Sequence, residues 1–127
     1  MALQRPISAA ILLACSALLP GSAGAHALED TECVEASDFI RNAALSRDNG
    51  FLEETFVERM RDDIAAIQSF PPQMRWVVQD DADAAMLIGA VQEAFRSTRT
   101  ADDLRRQFLD SCRADSTAPS NAPTKSP

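Results

Sequence analysis

Three cysteines punctuate the 127-residue chain. Cys15 lies inside an apolar leader, while Cys33 and Cys112 stand near the two ends of the region beyond that leader. Arg5 gives the leader a weakly positive start, Ile7 to Leu19 is an apolar run, Pro20-Gly21 breaks it, and Ala23-Gly24-Ala25 supplies the small residues of a peptidase site. The run is shorter than the roughly 20 residues a membrane-spanning helix needs. Residues 1–25 therefore read as an export signal whose removal takes Cys15 away and leaves no stable membrane insertion. Two lesser readings stay open: a lipoprotein anchored through Cys15, and a cut after Ala27 that also removes His26, the sole histidine. With a cut after Ala25, His26 is expected on a frayed terminus.

An exported chain with two remaining cysteines is expected to pair them. The alternative of a free thiol pair or a zinc site lacks the further cysteine or histidine that a zinc shell requires. The domain, residues 26–113, is too small to rest on its core alone. A Cys33–Cys112 bridge closes nearly all of it and is worth about 4–5 kcal/mol on the chain-entropy account. Beyond it, residues 114–127 contain Pro119, Pro123 and Pro127 and no bulky apolar side chain, and read as a disordered tail.

Between the cysteines the apolar residues recur at helical spacing. Cys33, Ala36, Ile40, Ala43 and Ala44 share one face of a first helix, with Phe39 on its border, Thr31 or Asp30 as cap and Gly50 as terminator. Phe56, Met60, Ile64 and Ile67 mark a second from about Leu52 to Phe70, stopped by Pro71-Pro72. Ala84, Leu87, Ile88, Val91 and Phe95 mark a third from Ala82 to Ser97, capped by Asp80. A fourth begins at Thr100, answered by Asp103, and carries Leu104, Phe108 and Cys112 on one face. No strand pattern competes. The expectation is an all-α, up-down bundle of about four helices, its first and last elements joined by the disulfide.

The residues that could carry chemistry are mostly explained by this framework. In "SRDNG", Arg47 sits near the negative helix end, Asp48 and Asn49 form the turn and Gly50 closes it. Asp81 and Asp83 have the spacing that opens a calcium loop, but Ala85, Met86 and Gln92 occupy positions where such a loop needs a ligand, a glycine and a glutamate. Capping is the better reading of both aspartates. The pairs Glu53-Glu54, Asp62-Asp63 and Asp102-Asp103 diverge around a helix, so they do not converge for acid–base work. Ser46 and Ser69 have no histidine in the folded region. Gly89 is expected to ease helix packing. No catalytic, metal or cofactor site is expected, and the chain reads as a non-enzyme.

With 12 basic and 19 acidic residues and a formal charge of −7, the chain disfavours nucleic acid and anionic membrane and favours basic partners. The candidate partner surface is the "SFPPQMRW" loop, where Phe70, Met74, Arg75 and Trp76 are of types enriched at interfaces. The competing reading has Phe70 and Trp76 plugging the end of the bundle, and is the favoured one.

The order of Cys33, a helix ending in "RDNG", a middle helix and then "VQEAFRSTRTADDLRRQFLDSC" resembles small exported helical single-disulfide proteins of Gram-negative bacteria. "DFI" near an early cysteine resembles the HdeA-type acid chaperones, and the "RDNG" turn resembles the Tai-class immunity proteins. These resemblances imply a helical fold and a periplasmic or secreted location. The function expected is an inhibitor- or immunity-like interaction module for an envelope protein, with an acid-stress chaperone as the alternative.

Overall fold

The computed structural model describes residues 26–117; the export signal expected at 1–25 and the tail beyond 117 lie outside the described residues. Four α-helices follow one another: α1 (Asp30–Asp48), α2 (Glu53–Ile67), α3 (Asp81–Arg96) and α4 (Ala101–Thr117), with a short 3-10 turn at Pro72–Met74. The described residues contain no strand.

The bundle is organised around α1. Its buried face, Cys33, Ala36, Ser37, Ile40, Ala43 and Ala44, recurs at helical three- and four-residue steps and consists largely of small side chains. Small residues let other helices approach closely, and α4 packs most extensively on α1, followed by α3. The single buried hydroxyl on this face, Ser37 Oγ, donates to Val34 O at 2.7 Å. Leu87, Val91 and Ala94 of α3, and Ala101 and Leu104 of α4, complete the core, which Val77 and Val78 close from the preceding loop.

Helix α2 is more peripheral and packs mainly on α3. It buries Val57 and Met60, with Phe56 and Ile64 only partly covered. Aromatic contacts tie it in: Trp76 meets Phe39 edge-on with centroids 5.3 Å apart, Phe39 meets Phe56 at 6.1 Å, and Phe56 meets Phe95 at 5.3 Å.

Cys33 and Cys112 form the disulfide, with Cα atoms 5.7 Å apart, well within the ordinary range for a bridge. A second device fixes the same helix pair. Asp30 pairs with Arg113 (2.7 Å), Asp38 with Arg105 (2.5 Å) and Arg41 with Asp102 (2.7 Å). Each step forward along α1 is matched by an equal step back along α4, which is the signature of an antiparallel pair held in one register.

The caps follow the sequence with small changes. Asp80 accepts from the Asp83 amide at 2.9 Å, and Thr100 accepts from that of Asp103 at 3.2 Å. Gly50 has φ +87°, a left-handed turn residue as expected. At α1 the cap is Glu29, not Thr31 or Asp30, in a reciprocal capping arrangement with Glu32. The boundary expected at Arg113 is too early, since α4 runs on to Thr117. No helix breaker precedes Pro119, and Ser116 is tied down: its hydroxyl donates to Leu28 O and, at 2.9 Å, to Cys112 O. Gly89 faces open space, so its expected role in close packing is not found.

Candidate functional site

The loop between α2 and α3 is braced by its own side chains. After Ile67, Pro71 and Pro72 force the chain out of the helix and into the 3-10 turn. Arg75 then reaches back across the turn: Nε donates to Phe70 O (2.9 Å), Nη1 to Gln79 O (3.0 Å) and Nη2 to Gln68 O (3.1 Å). The Gln79 side-chain amide donates to Arg75 O and Trp76 O. Trp76 packs on Phe39 and donates its indole N–H to Glu35 Oε2 at 3.0 Å. Val77 and Val78, both buried, anchor the loop's end.

This geometry divides the four candidate contact residues. Arg75 and Trp76 face inward and brace the loop, whereas Phe70 (48 % exposed) and Met74 (67 % exposed) stand out of it. The expectation that Phe70 plugs the bundle end is corrected. Phe70 follows the end of α2 and stands exposed, while Val77 and Val78 are the buried residues of this loop. Trp76 does close the core's edge through Phe39, as expected. The result is a stiff platform carrying two uncovered apolar side chains.

The "SRDNG" turn proves structural in a way that periodicity does not reveal. Arg47 donates through Nη1 to Ala94 O (2.7 Å) and Ser97 O (2.8 Å), and through Nη2 to Arg99 O (2.9 Å). It therefore caps the end of α3 instead of serving only its own helix. Asp48 accepts from Nε at 2.9 Å and fixes the guanidinium plane.

His26 is not frayed. Its backbone N donates to Asp83 Oδ1 at 3.0 Å, and Nδ1 lies 2.6 Å from Oδ2. Asp83, expected as a first-turn capping carboxylate, is wholly buried, and Oδ2 also accepts from Gln79 N at 2.9 Å. The other ring nitrogen, Nε2, lies 3.6 Å from Glu32 Oε2. Among the described residues no cluster of three or more His, Cys, Asp or Glu is placed to hold a metal, and no helix is long and apolar enough to cross a membrane. A surface groove between α3 and α4, lined by Met86, Ala90 and Phe108, runs past His26 toward Cys112.

Comparison with protein-family models, curated proteins and solved structures returns no match.

Proposed function

We propose that the protein is a non-enzymatic binding module of the bacterial periplasm that docks another envelope protein through the tip of the α2–α3 loop. The observation that carries this reading is the pairing of exposure with rigidity at Phe70 and Met74. A loop held by three guanidinium hydrogen bonds and two prolines loses little further entropy on binding, so its apolar tip is pre-organised for a partner. The acidic charge of the chain favours a partner with a basic rim around an apolar pocket.

A photoreactive residue at Met74 tests the reading in intact cells, with Glu58 on the exposed side of α2 as the control position. Expected is a discrete crosslinked species from position 74 and none from 58, reduced at least about tenfold by Phe70→Ser, as for an apolar hot spot. Phe70→Ser/Met74→Ser should leave the melting temperature within about 2 °C, because both side chains are exposed. Identical crosslinking from both positions, or none from either, would count against the reading.

A second reading, an acid-responsive chaperone, is supported by the α1–α4 ion pairs. The hydrogen bond from Arg113 holds the Asp30 carboxyl below its usual range, against the opposing effect of burial. The hydrogen bond and the charge of Arg41 do the same for Asp102. Because both values are lowered on folding, their stabilisation is complete above the usual carboxylate value of about 3.9 and disappears as pH falls through the lower folded values. The urea midpoint is therefore expected to hold steady from about pH 7 to 5 and to fall below about pH 4. Asp30→Asn/Asp102→Asn should flatten that fall. The chaperone reading further requires that the loosened, still bridged protein suppress aggregation of a client at low pH, and no suppression would end it.

A further inference from the structure

Asp83 is the one charged side chain among the described residues that is wholly buried. Its three donors are the His26 backbone N, His26 Nδ1 and Gln79 N. Backbone amides satisfy the oxygens but supply no countercharge, and a buried carboxylate without one is strongly destabilising. An α-ammonium, which ordinarily titrates near about 7.7–8.0, would place a full countercharge at the second carboxylate oxygen, beside the His26 ring.

The nitrogen lying 3.0 Å from Asp83 Oδ1 belongs to the residue that directly follows Ala23-Gly24-Ala25. We propose that the export signal is cut between Ala25 and His26, and that the new α-ammonium of His26 becomes the countercharge of buried Asp83, locking the N-terminal strap onto the bundle. In this step a signal peptidase hydrolyses the Ala25–His26 amide with one water. The carboxylate leaves on Ala25, and the His26 nitrogen becomes a primary amine that takes up a proton.

The rest of the strap fits the same cut. Leu28 is buried, its carbonyl accepts from Ser116 at the end of α4, and Glu29 caps α1. Residues 26–29 thus join the start of α3, the start of α1 and the end of α4 beside the disulfide. A cut after Ala27 would remove both His26 donors and leave Asp83 with the Gln79 amide alone.

The test starts with N-terminal sequencing of the exported protein. His26 as first residue is expected, and Leu28 would overturn the proposal. Next, protein beginning at His26 is compared with protein carrying Gly-Ser before His26. The free terminus is expected to melt about 4–8 °C higher, since it turns a neutral donor into a charged one. Asp83→Asn should shrink that gap to under about 2 °C. His26→Ala, which keeps the α-amine, should preserve most of it, and this arm stands even if Asp83→Asn fails to fold. Equal melting of the free and extended forms, or a gap abolished by His26→Ala, would overturn the ion pair.

Discussion

Removing the Cys33–Cys112 bridge is expected to cost about 4–5 kcal/mol and to lower the melting temperature by about 20–30 °C. The size follows from the loop it closes. The two cysteines are 79 positions apart, so α2, α3 and all three interhelix connections lie inside the covalent ring. Without the bond, the denatured chain regains the freedom of that whole loop, while the folded state keeps its packing. Both sulfurs are buried at the α1–α4 contact, so Cys33→Ala/Cys112→Ala is the gentler replacement; serine would put hydroxyls where only sulfur now sits. Urea unfolding of the oxidised protein, the reduced protein and the alanine pair measures the effect. Reduced and alanine forms should share a midpoint, and their urea dependence should be steeper than that of the oxidised form, because an uncrosslinked denatured state exposes more surface. A loss below about 1 kcal/mol would show that the α1–α4 ion pairs and small-residue packing hold the ends together unaided.

The bridge and the helices were legible because each leaves a local or countable trace. Cys33 and Cys112 open and close the apolar pattern, Gly50 and Pro71-Pro72 interrupt it, and Asp80 and Thr100 stand one turn before residues whose amides they accept. Periodicity tells which face of a helix is covered. It does not tell which distant group a polar side chain reaches. Asp83 lies four and eight residues before Leu87 and Val91, on the buried face of α3, and only the path of the strap at 26–29 supplies its partner His26. The α1–α4 ion pairs become visible only once the two helices are known to be antiparallel and in register. At the candidate site the structure divides the four residues. Arg75 and Trp76 look like contact residues by composition, yet Arg75 is engaged by its own loop and Trp76 by α1, and the exposed pair is Phe70 and Met74. Val77 and Val78, the buried residues of this loop, carried no signal beyond being apolar.

Arg47→Ala is expected to cost about 2–4 kcal/mol, the largest effect of any single surface-facing side chain in the molecule. The last carbonyls of a helix have no intrahelical donor, and Arg47 supplies donors to Ala94 O, Ser97 O and Arg99 O from one guanidinium. Its side chain is only 16 % exposed, so truncation strands carbonyls that water reaches incompletely. Arg47→Lys should recover less than half of the loss, because an ammonium is a point donor and cannot span carbonyls spread over residues 94 to 99. Asp48→Ala should cost under about 1 kcal/mol, since that carboxylate is half exposed and only steadies the guanidinium plane. Urea midpoints rank the three variants, and amide exchange at the end of α3 locates the damage: Arg47→Ala should speed exchange around Ser97 to Thr100 and leave the start of α3 unchanged. Equal stability of Arg47→Ala and wild type would mean that the α3–α4 connection holds its shape without the cap. The same geometry weighs against reading "SRDNG" as a ligand site, because Nε, Nη1 and Nη2 are each already engaged within the protein.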